Sequence, residues 1–153
     1  MNIKSTLIEV HIFRKIEDGI EFLLMKRAPN EVYAGVCQMV TGSIENGEKA
    51  FETAIREIKE ETNLIPNGFW IVPNINSFYS SVDDSITMVP VFVAEVEKNS
   101  DVILSSEHTE YLWCSKDEAK VLLAWPGQRK SVDIISEYFS ENNSLLKLIE
   151  IKL

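Results

Sequence analysis

The residues best suited to chemistry lie between positions 42 and 64, GSIENGEKAFETAIREIKEETNL, whose second half holds Arg56 with the carboxylates Glu57, Glu60 and Glu61. Phe51, Ala54, Ile55 and Ile58 recur at i, i+3, i+4 and i+7, which predicts an amphipathic helix from Glu48 to Thr62. With about 100° of rotation per residue, Glu57 and Glu61 fall on one flank of the apolar stripe, Glu60 points away from it and Arg56 lies on the far flank. Like charges at i, i+4 repel by roughly 0.2–0.5 kcal/mol, and acids near a helix C-terminus oppose the helix dipole. A divalent cation with oxygen ligands relieves both penalties. Mg2+ characteristically takes one or two carboxylates, several waters and substrate phosphates. A solvated acidic face is the alternative with no chemistry in it.

The elements that must position this helix are legible from composition and turns. At 153 residues with 45% hydrophobic content the chain fits one domain, expected over residues 1–143, with residues 144–153 a tail that packs as a strand, pairs with a second copy or frays. TLIEVHIFR (6–14) and IEFLLMKR (20–27) read as a hairpin around the Asp18-Gly19 turn. APNEVYAGVC reads as a loop, and Gln38 to Thr41 as a short strand leading into Gly42, where the missing side chain allows close approach of the backbone to a ligand. Beyond the break at Pro66-Asn67-Gly68, FWIVPNINSFYSS is strand material interrupted at Pro73, and ITMVPVFVAEV (86–96) pairs with it across the turn at 82–85. Phe78 and Tyr79 on that first strand are either core or a base-stacking surface. A short strand covers Glu110 to Cys114. Ser115-Lys116-Asp117-Glu118 is a capping box opening a helix with Ala119, Leu122 and Leu123 on one face, ended at Trp125-Pro126-Gly127. A second helix, from about Gln128 to Phe139, buries Val132, Ile135 and Phe139, with Arg129 and Lys130 at its entrance, where anions bind readily.

Charge and composition narrow the function. A net charge of −9 argues against a nucleic-acid polymer as partner, since polymer binding uses clustered Lys and Arg, but a small phosphorylated molecule is compatible when cations bridge it to the acids. No apolar run is long enough to span a bilayer and the N-terminus lacks a signal-peptide pattern, so no membrane partner and a cytoplasmic location are expected. Cys37 and Cys114 have no C-x-x-C spacing and read as reduced thiols; His11 reads as structural, and His108 is notable only for adjoining Glu107.

Gly42, Glu48, Arg56-Glu57-Ile58-Lys59-Glu60-Glu61 and Thr62-Asn63-Leu64 stand at the spacing of the Nudix box, which this stretch resembles. The family usually has glycine where this chain has Asn63. Asparagine is the next most tolerant residue for the left-handed conformation that closes a helix. Similarity covers most of residues 6–139 and is sharpest in the box. The resemblance implies an α/β Nudix fold, a mixed β-sheet sandwiched between α-helices. It implies Mg2+, with Mn2+ as alternative, held by Gly42 through its carbonyl and by Glu57, Glu60, Glu61 and Glu107. SSEHTEYLW is similar to the stretch supplying the outside carboxylate in bacterial dihydroneopterin triphosphate pyrophosphohydrolases, which singles out Glu107, with Glu110 as fallback. Catalytic roles fall to Glu57, Glu60 and Arg56, and substrate contacts to Arg27 and Glu48. Glu48 serves either as a peripheral metal contact or as a partner of Arg56. The implied reaction is hydrolysis of a nucleoside or pterin triphosphate to release pyrophosphate, with water as nucleophile. Dinucleoside polyphosphates, oxidised deoxynucleoside triphosphates and a non-catalytic nucleotide-binding regulator are the alternatives, as a monomer or homodimer.

Overall fold

In the computed structural model, residues 1–140 and 144–153 are described; the expected domain boundary at 143 lies outside the described residues. In chain order the elements are β1 (Asn2–Lys4), β2 (Leu7–Ile16), β3 (Gly19–Arg27), β4 (Cys37–Gln38), β5 (Val40–Ser43), α1 (Ala50–Thr62), β6 (Gly68–Ser80), β7 (Ser85–Glu95), β8 (His108–Cys114), α2 (Lys116–Leu122), α3 (Pro126–Ser140) and α4 (Leu146–Ile149). The strands form one mixed sheet in which β7 runs parallel to β1 and β2, whereas β2–β3, β2–β5, β3–β8 and β6–β7 are antiparallel.

Helices cover both faces. Ile8, Val10 and Ile12 of β2 pack with Ala54 and Ile58 of α1, while Phe13, Leu24 and Met39 pack on the opposite side with Leu123, Val132 and Ile135. The centre of β2 is therefore buried on both faces, as a strand sandwiched between helices must be. This is the α/β sandwich expected. His11 sits inside it, 1% exposed and edge-on to Phe22. Burial lowers its pKa to about 3, so it is a neutral core residue.

Several expectations change at element ends. α1 begins at Ala50, not Glu48: Gly47 has φ +84°, Lys49 is extended, and the Glu52 carboxylate accepts the Lys49 N–H at 2.9 Å, closing the helix there. At the other end Asn63 adopts φ 59°, the left-handed residue expected, and its N–H donates to the Lys59 carbonyl at 3.0 Å. In the first hairpin Ile16 pairs directly with Gly19, so the turn residues are Glu17 and Asp18. The β6–β7 register shifts between Val72 and Ile75, around Pro73, because proline has no N–H for the ladder. On α2, Ala119 is buried but Leu122 is exposed; Leu123 is buried after the chain turns extended. Trp125-Pro126 opens α3 earlier than expected, Pro126 taking the first helical position, where its missing N–H costs nothing. The tail packs: Glu150 bridges Trp70 and the Ile151 N–H donates to the Phe69 carbonyl at 2.8 Å, covering part of the β6 edge.

Candidate active site

Gly42 lies in β5 opposite Ile8 of β2, on the face that α1 covers. A Cβ on Gly42 would come 2.3 Å from Cγ of Glu57 and 2.5 Å from its carboxyl carbon. Only glycine lets the helix bring Glu57 onto the strand backbone. We predict that Gly42→Ala displaces the Glu57 carboxylate, lowering turnover by about tenfold or more while the flexible glutamate absorbs most of the clash. Steady-state kinetics with a parallel thermal melt would check it; unchanged turnover would remove Gly42 from the site.

Arg56 ties the acids together. Its Nε and Nη2 donate to Glu48 at 2.9 and 3.0 Å, Nη1 donates to Glu57 at 2.8 Å and to Glu60 at 3.2 Å, and Nη2 also reaches the Ser43 carbonyl at 3.1 Å. Glu48 further accepts from the Thr53 hydroxyl at 2.6 Å, and these hydrogen bonds, Arg56 foremost, hold its pKa at about 2. Of the two roles open for Glu48, the structure shows the ion pair with Arg56. Glu60 is the most exposed of the three helix acids, its side chain 56% accessible.

Glu61 is the opposite case. It is 2% exposed, and burial raises its pKa to about 9, aided by the charges of Glu107 and Glu57 and opposed by Arg27 and the backbone N–H of Thr41. Burial also raises the pKa of Glu57, against the pull of Arg56, with Glu60 and Glu107 adding to the rise. Glu107 thus acts on both helix acids from outside the helix. It is positioned by the start of β8: the Ala28 N–H donates to the Glu107 carbonyl at 2.8 Å, and the Ser105 N–H donates to the Glu61 carbonyl at 3.2 Å. One ligand atom each from Glu61, Glu107 and His108 lie within 4.8 Å of one another. Oε2 of Glu61 and Nδ1 of His108 are buried without a hydrogen-bond partner among the described residues. Crowded carboxylates, one of them almost fully enclosed, suit an oxygen-seeking divalent cation.

Gly42, Glu57, Glu61 and Glu107 are brought together, and Glu60 and Arg56 border them. Arg27 stands opposite His108 at a register shift in the β3–β8 pairing, near enough to act on Glu61, with its Nε donating to the Val32 carbonyl and Nη2 to Glu31 at 3.4 Å. Phe78 and Tyr79 are exposed on β6, which β7 and β2 separate from β5. Arg129 donates to the carbonyls of Leu123 and Ala124 and so ties the α2–α3 connection. Sequence reasoning passed over His108, whose only signal was its place beside Glu107 at a strand start. It also passed over Glu9, which faces α3, accepts from Asn76 and Gln128, and has a pKa raised by burial.

The family model described as NUDIX domain matches residues 7–134. The chain belongs to the Nudix family, whose members are pyrophosphohydrolases that act on acid anhydrides. It is 29% identical over 110 residues to the asymmetrical bis(5'-nucleosyl)-tetraphosphatase of Caenorhabditis elegans, covering 71% of this chain and 77% of the relative. Among solved structures it is similar to a NUDIX hydrolase of Listeria monocytogenes, with TM-score 0.77 and 26% identity over 98% of this chain and 100% of the other. The E. coli dihydroneopterin triphosphate pyrophosphohydrolase shares the fold, with TM-score 0.71 and 20% identity over 88% of this chain and 98% of that one. Among the described residues no helix is long and apolar enough to cross a membrane.

Proposed function

We propose that this protein is a divalent-cation-dependent hydrolase that cleaves a phosphoanhydride bond of a nucleotide-type small molecule, with water as nucleophile. The observation that carries the reading is the meeting of Glu57, Glu61 and Glu107 beside the backbone of Gly42, with the Glu61 carboxylate almost fully enclosed. Gly42 through its carbonyl, Glu57, Glu61 and Glu107 would hold the cation, Mg2+ or Mn2+, with Glu60 at the solvent side. When bound, the cation supplies positive charge against the phosphate oxygens.

The chain's own side chains do the rest. Water adds to phosphorus, the bridging P–O bond breaks, and its electron pair leaves on the departing phosphate. Glu57 takes the water's proton. Paired with Arg56, Glu57 is held in the ionised form that a proton acceptor needs. Arg56 holds Glu57 and Glu60 in place through two ion pairs on one nitrogen. Arg27 is the cation next to the acids and binds substrate phosphate by exchanging its Glu31 contact.

A dinucleoside polyphosphate is the substrate the comparisons favour. The matching tetraphosphatases of C. elegans and Mus musculus are each 29% identical over 71% of this chain, whereas likeness to the pterin enzyme, at 20%, is one of fold. A pterin or nucleoside triphosphate is the second reading, favoured by SSEHTEYLW. Diadenosine tetraphosphate, nucleoside triphosphates, dihydroneopterin triphosphate and ADP-ribose, incubated with Mg2+ or Mn2+ in 18O-water, would decide. Asymmetric cleavage of the tetraphosphate with label in one product is expected. No turnover of any of them with either cation would end the proposal.

A further inference from the structure

Gln38, His108 and Glu61 form a buried chain that the hydrolytic reading leaves unused. Gln38 Nε2 lies 3.1 Å from His108 Nε2. On the other side of the ring, Nδ1 lies 3.9 Å from Oε2 of Glu61, the two side chains being 0% and 3% exposed. Both facing atoms lack a hydrogen-bond partner among the described residues.

With the Gln38 NH2 turned toward the ring, Nε2 of a neutral imidazole accepts from it, which leaves the single ring proton on Nδ1. An N–H donor is thereby placed 3.9 Å from a buried carboxylate oxygen, a gap that a shift of either side chain must close before a hydrogen bond forms. Among the interactions around this carboxylate, Arg27 and the Thr41 N–H favour its charged form while Glu57 and Glu107 oppose it. Ligands of a metal are commonly held by such outer hydrogen bonds, which fix which lone pair faces the ion. We propose that Gln38 and His108 are a positioning pair: as a divalent cation draws Glu61 into place, His108 Nδ1–H closes on Glu61 Oε2 and donates to it, so that Glu61 presents its other oxygen to the cation. This rests on the reading of Glu61 as a cation ligand. It also assigns His108 a role outside the coordination sphere, although its ring lies among the candidate ligand atoms.

Asparagine places an amide N–H about where Nδ1–H sits; phenylalanine fills the space with no donor. Mn2+ titrations by calorimetry of the full-length wild type, His108→Asn and His108→Phe should show the asparagine variant binding within a few-fold of wild type and the phenylalanine variant weakened by about tenfold to a hundredfold. Nitrogen-15 NMR of histidine-labelled wild type should show the Nδ1–H tautomer with and without Mg2+. Pulsed EPR of the Mn2+-loaded protein should show no directly coordinated histidine nitrogen. Equal Mn2+ affinity in all three proteins, an Nε2–H tautomer, or a ligating ring nitrogen would each overturn the positioning role while leaving the cation site standing. Wild type that binds no Mn2+ would bring down the cation reading and this inference with it. Should His108→Phe fail to fold, the two spectroscopic measurements on wild type still decide.

Discussion

Glu57→Gln is expected to lower turnover at least ~100-fold, the usual worth of a positioned general base, and to leave the melting temperature within a few degrees of wild type. The amide keeps the size of the side chain against Gly42 and can accept one hydrogen bond from Arg56 through its oxygen. What it loses is the charge and the ability to take a proton. Burial is moderate here, with the Glu57 side chain 14% exposed and already paired with Arg56, so no unpaired charge is created in the core. Single-turnover kinetics beside circular-dichroism melts separate chemistry from folding. Turnover close to wild type would remove Glu57 from the mechanism, and a collapse of the fold would make its role structural.

The second large effect concerns stability and runs in an unusual direction. Burial, above the other causes, pushes the Glu61 carboxyl up to about 9 from the ordinary 4.5. Between those values the native, cation-free protein binds a proton that the unfolded chain does not, so the stabilisation present below the unfolded value is lost as pH rises through the window. A cation that takes the Glu61 carboxylate displaces the proton and should stabilise the protein more at pH 8 than at pH 5. Glu61→Gln carries no charge at any pH. We expect it to flatten the pH dependence, to raise the stability of the cation-free protein at pH 8 by about 2 kcal/mol, which for this chain length is roughly 4–8 °C, and to abolish the shift on adding Mg2+. Thermal melts in chelator and in excess Mg2+ from pH 5 to 8 measure all three. Superimposable behaviour of variant and wild type would mean that Glu61 is ordinarily ionised and holds no cation.

These two carboxylates divide what was legible in the chain from what was not. The helix that carries them follows from the spacing of Ala54 and Ile58 against Glu57 and Glu61, because helical rotation is a local property that periodicity records directly. The hairpin, the left-handed Asn63 and the α2 capping box were legible for the same reason: each depends on a few neighbouring residues and their backbone preferences. Glu107 entered through resemblance to the family, since no local pattern connects it to a helix more than forty positions away in the chain.

Tertiary structure alone decided how the acids differ. Glu60 and Glu61 are adjacent in sequence, yet one is exposed and bound to Arg56 while the other is enclosed beneath β5 and the start of β8. The contact of Gly42 with Glu57, the aim of His108 at Glu61 and the covering of β6 by the tail all join segments distant in the chain. Residue type determines that a glutamate can ionise, and helical spacing determines which side it leaves from. How much water and how many other charges it meets there depends on strands folded in from elsewhere, and that environment separates a ligand from a solvated acid.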